Sequence, residues 1–504
     1  MTNEYDCVVI GGGLSGLSAA KLLRDQGKNV VVLEARERVG GRTCTEYTNI
    51  NGKEVYADMG GAYVGPGQLR VMRVANNYGI KTYRIRDKGK RPVIIEGKKS
   101  WETGDIPNMG ILEVLQMNRA LVHVDDICKK HINIEAIWKS KHAEVYDNMT
   151  VRDYCEQFNL SPPSTSLTQT AIENVTCVPF EETSLLYMLQ ICASGGSFNR
   201  VIKVSDGAQE RKFIGGSMQL SDAIANNLGE TKVLRNHQVV EILQIGEDET
   251  RIVCKNGTKL AAKSVIVALS PSLYKTIKFN PPLPKSKEDF ANSMEMGTII
   301  KTVTFYETAW WRKAGLSGQL INDKGPIWFS LDDTKADDTF PSIMGFCLSS
   351  HCKEWMQKPV EERKQAILKQ YAMQFESDEA LHPVAYMEKN WNDEEFSKGC
   401  YSAVPSVGAI YKHGSAARIP FKRVHFAGTE LATEWVGYMD GAIQSGERAA
   451  LEVLEVLEPK KKYDLPDSPI PTDMPIRDVG PYWYERILAS ISSFFAKHNN
   501  MPKL

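Results

Sequence analysis

The 504-residue chain lacks an excess of either charge: 61 Lys and Arg stand against 62 Asp and Glu, for a net charge of −1. A nucleic-acid binder usually carries a basic surplus, so no nucleic-acid partner is expected. Metal-type cysteine spacing is also missing. The ten cysteines fall singly, with no C-x-x-C and no Cys/His spacing suited to zinc, and no metal is expected. The opening MTNEYDCVVI has no basic segment followed by an apolar run. No secretory signal is therefore expected, and a reducing compartment with free, buried thiols is the reading. The glycosylation sequons at Asn148, Asn174 and Asn256 are taken as chance matches. No internal repeat is visible. With 42% hydrophobic and 24% charged residues, a wholly disordered or fibrous chain is excluded. At roughly 100–200 residues per domain, the length predicts two or three domains.

What is present is glycine in clusters. DCVVI reads as a short buried strand, followed by Gly11-Gly12-Gly13-Leu14-Ser15-Gly16, a helical pattern, and a β-branched run ending in Glu34. This is a βαβ unit with G-x-G-x-x-G at its first turn. Gly11 permits the tight turn, Gly13 lets backbone approach a pyrophosphate, and Gly16 lets helix and strand pack closely. The helix N-terminus offers unpaired N–H groups to phosphate. Glu34 is placed to accept hydrogen bonds from a ribose diol, and it argues against a 2′-phosphate. Arg36-Glu37-Arg38-Val39-Gly40-Gly41-Arg42 follows at once: the paired glycines allow a second close approach, and Arg42 is suited to pair with phosphate. A third glycine-rich loop occupies 58–65. Three such loops fit a long, extended dinucleotide better than NAD in one crevice.

Further along, 111–131, 150–195 and 359–377 have helical spacing. Residues 233–270 read as strands, and 297–306 and 342–348 as strands of a different sheet. The expected fold class is α/β: a doubly wound, Rossmann-like FAD-binding domain interleaved with an α+β substrate domain, plus a C-terminal helical tail. The FAD domain takes 1–90, 211–300 and 391–455, and the substrate domain 91–210 and 301–390. Residues 456–504 form a proline-rich linker and an amphipathic tail.

The glycine turn, its acid and the R-x-G-G-R-like stretch resemble the FAD-dependent amine oxidase family. GGAYVGP, GAQERKFIGGS, KNW, GCY and FAGTE-x-A-T-x-W-x-GYM-x-GA follow in order through most of the first 455 residues and resemble the monoamine oxidases in particular. The resemblance implies FAD, bound at Gly11, Gly13, Ser15, Gly16, Glu34, Arg36, Gly41, Arg42, Val239, Trp391, Gly428, Thr429, Tyr438 and Met439. It implies a covalent 8α-S-cysteinyl link through Cys400, although one cysteine among ten, taken alone, reads as an inert buried thiol. Catalysis is implied at Lys301, Tyr401 and Tyr438, with the tyrosines flanking the path to the flavin and the lysine holding a water at its reactive nitrogen. A lysine in the apolar run GTIIKTVTFY is costly unless partnered. Gln209, Phe329, Phe346 and the two tyrosines fall at substrate-cavity positions. Phe329 stands where some members carry tyrosine, and Asn174 and Val175 depart from the family pattern, so amine preference is not inherited.

The activity this implies is oxidative deamination of primary and some secondary or tertiary monoamines, with O2 and water giving aldehyde, ammonia and hydrogen peroxide. Polyamine oxidase, L-amino-acid oxidase and a redox-inactive flavoprotein scaffold are the competing readings. Hydride and polar nucleophilic routes both stay open. A homodimer and the cytosolic face of the mitochondrial outer membrane are implied as well, with the cytoplasm as the alternative. In the tail, Ile487, Leu488, Ile491, Phe494 and Phe495 share one helical face, with Tyr482, Trp483 and Tyr484 before them. The uncharged stretch 487–496 is half the ~20 residues a spanning helix needs. A helix lying at a membrane surface is expected from it, with packing on the protein itself as the other reading.

Overall fold

Cys7, Val8 and Val9 have no exposed surface, and this β-branched run forms the strand Glu4–Ile10 at the centre of a sheet. The computed structural model describes residues 4–104, 110–246, 248–481 and 485–490. Glu4–Ile10 pairs in parallel with Val30–Leu33 on one side and Lys259–Val267 on the other. Val233–Leu234 extends one flank of this sheet, and Val424–Phe426 runs parallel to Lys259–Val267. Helices Leu14–Asp25, Gln219–Leu228 and Met439–Leu457 bury an apolar stripe on one face, with Leu17, Leu23, Ile224, Ile443 and Val453 at its centre. On the other face Ile252, Tyr274, Phe290 and Phe426 form a second core. Val239–Ile245, Glu249–Cys254 and Lys259–Val267 make an antiparallel meander that leads back into the sheet.

A seven-stranded mixed sheet lies apart from the first. Ile299–Phe305 is flanked by Ala385–Asn390 and Ser342–Leu348, both antiparallel to it. Phe329–Asp332, Leu320–Asn322, Arg91–Ile95 and Lys98–Glu102 continue the order outward. Every residue of Ile299–Phe305 is buried, because helices Val360–Phe375 and Trp310–Lys313 cover one face through Tyr371, Phe375 and Trp310 and a third core covers the other. The α/β class and the two interleaved sheets agree with the sequence reading. Helices Ile111–His131, Val151–Glu156, Pro162–Thr176 and Leu185–Ser194 occupy the stretches with helical spacing.

Two expected boundaries shift. The break between 300 and 301 would cut the strand Ile299–Phe305, and the break at 455 would cut the helix Met439–Leu457. Both elements are held by long-range pairing or packing, which a composition change does not mark. The proline-rich stretch is extended but strapped to the body. Arg73 donates to the Pro466 carbonyl (3.0 Å) and Ser468 Oγ (2.9 Å), Arg211 donates to the Asp473 carboxylate (2.6 Å), and Met474 is fully buried. Residues 485–490 are helical, and Arg486 pairs with Asp125 and with Asp126, the latter at 2.7 Å. Ile487 and Leu488 are exposed. Tyr482, Trp483, Tyr484, Ile491, Phe494 and Phe495 lie outside the described residues. Among the described residues, no helix is long and apolar enough to cross a membrane.

Candidate active site

One cavity of about 950 Å³ runs from the first βα turn to the face of the second sheet. At its nucleotide end, the Gly12 amide donates to Glu34 Oε2 (2.6 Å) and the Arg36 amide to Glu34 Oε1 (2.9 Å). The acid therefore fixes the turn, and it lines the cavity. The Gly40 amide donates to the Gly12 carbonyl (2.9 Å) and brings the second glycine pair against the first. Two glycines do different jobs. A Cβ at Gly16 would sit 2.0 Å from the Gly11 carbonyl oxygen, so packing alone requires glycine there. A Cβ at Gly13 would meet no described atom nearer than 3.9 Å, so the space in front of Gly13 is left for something else. Ser15 Oγ, on the cavity wall, is buried with no hydrogen-bond partner among the described residues. Open space at the turn and an orphaned hydroxyl at a helix start fit a bound pyrophosphate.

At the other end stand Lys301, Cys400, Tyr401 and Tyr438. Lys301 is 3% exposed and donates to the Gly60 carbonyl (3.0 Å). Burial, reinforced by the nearby Lys212 ammonium, pushes its pKa down to about 8 against the pull of Asp333 and Asp58. Tyr401 meets Phe346 edge-on at 5.7 Å, and Tyr438 meets Trp435 edge-on at 5.1 Å. Burial holds both phenols well above their ordinary titration range, so they are neutral donors at physiological pH. Burial also pushes the Cys400 thiol up to about 12, with Arg42 and Arg36 pulling the other way. The Cys400–Tyr401 peptide bond is cis.

The structure brings the expected site residues to this one cavity with two exceptions, Gly16 and Trp391. Gly16 sits behind the turn. Trp391 is 1% exposed, donates to the Met59 carbonyl (2.7 Å) and packs in the same core as Cys400. Arg42 lines the cavity, and its guanidinium forms a two-pronged pair with Glu430 (2.6 and 3.1 Å) and holds the Tyr401 carbonyl (3.1 Å). A carboxylate opposite a planar guanidinium fork makes a strong charge-assisted pair. Glu430 also accepts from the Ala403 amide (3.0 Å), so this pair positions the Cys400–Tyr401 segment from behind. Arg36 reaches the same segment through Glu394 (3.1 Å) and Ser397 (2.9 Å).

Sequence reasoning missed Glu430 and a buried charged group beside Lys301. Lys212 Nζ lies 2.6 Å from Asp333 Oδ1 and 3.4 Å from Asp58 Oδ2, and Lys335 Nζ lies 2.8 Å from Asp333 Oδ2. Asp-Asp-Thr-Lys at 332–335 has the composition of a surface turn, and tertiary packing buries it.

At the outer end of the cavity two acids appear. Glu102 faces Arg91 at 3.7 Å, and Asp87 accepts from Ser205 Oγ at 2.5 Å. Arg91 in turn donates to Gln319 (3.0 Å) and the Gly104 carbonyl (2.8 Å). Gln209 and Asn174 also line the cavity, and their amide oxygens are buried with no partner among the described residues.

Residues 14–454 match the family model described as flavin containing amine oxidoreductase. A flavin-containing amine oxidase of Oncorhynchus mykiss is 40% identical over 98% of this chain and 94% of its own length. Human flavin-containing amine oxidase B is 37% identical over 97% of this chain and 94% of its own. Among solved structures, putrescine oxidase bound to putrescine superposes with a TM-score of 0.85 at 28% identity, covering 90% of this chain and all of that one. Cyclohexylamine oxidase from Brevibacterium oxydans gives the same score at 29% identity over the same shares.

Proposed function

From the premise that this chain belongs to the flavin-containing amine oxidoreductase family, as an FAD-dependent amine oxidase, we propose that it oxidises monoamines. The observation that carries this is the single cavity joining the Gly13 turn to a neutral, aromatic end that holds Tyr401, Tyr438 and a lysine without a carboxylate partner among the described residues. In this reading Gly11, Gly13, Ser15, Glu34, Gly41 and the Gly428–Thr429 turn hold the dinucleotide, with Val239 and Met439 against it. Cys400 is the tether, through a thioether at the 8α carbon. When bound, FAD supplies two-electron acceptance from the amine and reoxidation by O2.

The chain's residues do the rest. Neutral phenols at Tyr401 and Tyr438 polarise and align an amine without fixing it as ammonium, which has no lone pair to give. Phe329 and Phe346 exclude water from the α-carbon, and Gln209 offers its unpartnered amide oxygen to a substrate N–H. Lys301 holds a water through its Nζ. The product imine is hydrolysed to aldehyde and ammonia, and the electrons leave as hydrogen peroxide. For diamines the second ammonium would need an uncompensated carboxylate. Glu102 faces Arg91, and Arg91 is committed to Glu102 and Gln319 rather than free for an amino-acid carboxylate. Asp87 at the mouth is the feature that keeps a diamine as the second reading.

Peroxide release from purified protein given benzylamine, tyramine, serotonin and spermine tests the substrate class; turnover of spermine alone would reverse it. Acid-precipitated protein should stay yellow and Cys400→Ala protein should release its flavin, whereas free flavin from the unmutated protein would sink the tether. By family resemblance we further propose a homodimer at the cytosolic face of the mitochondrial outer membrane. Its tail would lie at the surface, so carbonate at high pH should extract it.

A further inference from the structure

Behind the cavity wall, three ammonium groups and two carboxylates are enclosed together. Lys212, Asp58 and Asp333 are at most 1% exposed, Lys301 is 3% and Lys335 is 5% exposed. They come from four separated stretches: the strands Lys53–Asp58, Arg211–Phe213 and Ile299–Phe305, and the turn after Phe329–Asp332. The carboxylates are already committed. Asp333 gives one oxygen to Lys212 (2.6 Å) and the other to Lys335 (2.8 Å). Asp58 gives Oδ1 to Thr45 Oγ1 (2.8 Å) and the Ser217 amide (2.8 Å), and Oδ2 lies 3.4 Å from Lys212 as an ion-pair contact. Lys301 Nζ is left with a neutral carbonyl, Gly60 O, and with the rings of Tyr63 and Phe346 at 5.5 and 5.7 Å. Tyr63 lies between the two lysines, its centroid 5.8 Å from Lys212 Nζ. The neighbouring strand presents Lys389 opposite Lys301, but Glu46 (2.9 Å) and Glu394 (2.7 Å) compensate it.

We propose that the Lys212–Asp333–Lys335–Asp58 network is the device that decides whether Lys301 carries a proton, so that Lys212 and Asp333 are positioning residues for it. Three cations share two anions with little access to bulk solvent, and a surplus charge there is expelled at the site with the weakest counter-ion. That site is Lys301. An unprotonated Nζ keeps its donor bond to Gly60 and gains a lone pair to accept from the water that the proposed oxidase role requires. The inference deepens that role and rests on it only for its consequence, since the charge argument concerns this chain's own atoms.

The test is a pH titration of Lys301 by NMR in flavin-loaded protein made with 13Cε-lysine, its signal identified by its loss in Lys301→Arg. Lys212→Met should raise the Lys301 midpoint by about one pH unit or more, because a repelling cation is gone. Asp333→Asn should lower it by a similar amount, because an attracting anion is gone. The double variant Lys212→Met/Asp333→Asn should return to within about half a unit of the parent. The pH midpoint of flavin reoxidation should move in the same directions. Opposite shifts are what a merely structural role does not produce; single variants that move the midpoint the same way, or not at all, overturn the proposal. If Lys212→Met fails to fold, the double variant must still titrate above Asp333→Asn. Shifts as expected in a protein that oxidises no amine would leave this inference standing and remove the oxidase reading instead; amine oxidation with an insensitive Lys301 would do the reverse.

Discussion

The nucleotide end of the cavity is built mainly on the glycine turns of Gly11–Arg42, whereas the Lys301 end is assembled from pieces scattered between Asp58 and Tyr438. At Gly11–Arg42 the backbone does the work: turns, a helix start, and Glu34 holding the Gly12 amide. At Lys301 the side chains do it. Lys212, Asp333 and Asp58 surround a lysine that no neighbour in sequence explains, and Arg42 with Glu430 braces the Cys400–Tyr401 segment. The first end is a matter of shape and the second of charge balance in a dry space. Substitutions at the first should therefore act through fit and at the second through protonation.

The largest effect expected is at Gly16. Gly16→Ala drives a Cβ into the Gly11 carbonyl and should cost about 3 kcal/mol, seen as a lower denaturation midpoint whether or not flavin is present. A tolerated alanine would show that the turn is not shape-limited. Lys301→Met comes next, with flavin reoxidation slowed roughly 100-fold and flavin reduction much less affected. The same variant carries a pH signature. Lys301 in the folded protein titrates at about 8, below the 10.5 of an unperturbed lysine, so between these values the unfolded chain binds the extra proton. Unfolding free energy should therefore rise with pH across that window, by up to about 3 kcal/mol, and Lys301→Met should lack this rise. Gly13→Ala sharpens the contrast with Gly16. Its φ of −79° suits alanine and its Cβ has room, so stability should change by less than about 1 kcal/mol while flavin affinity, titrated by fluorescence in the Cys400→Ala background, falls at least tenfold. The smallest effect belongs to Arg486→Ala, whose partly exposed pairing with Asp125 and Asp126 should be worth under about 1 kcal/mol.

The strength of each sequence signal followed the range of the interaction behind it. Strand, turn, helix and acid at the N-terminus were readable because their geometry is set within one or two residues of each glycine. The roles proposed for Cys400, Tyr401, Tyr438 and Lys301 rest on resemblance; in isolation each is an ordinary core residue. The pairing of Arg42 with Glu430 was not legible because the two lie 388 positions apart and no local rule joins them. Lys335 and Asp333 were passed over because two acids and a lysine near a turn look solvated until a sheet closes over them. The strap at 456–478 was legible as extended chain, but its arginine anchors at Arg73 and Arg211 were not.

By itself, then, the order of residues determined the dinucleotide turn, the alternation of strands and helices, and the kind of cofactor, because backbone conformation and apolar periodicity are short-range properties. Only tertiary structure decided which of the scattered lysines is left without a carboxylate partner among the described residues and which acid pairs with Arg42. Desolvation and ion pairing depend on what is enclosed together, and enclosure is a property of the packed chain.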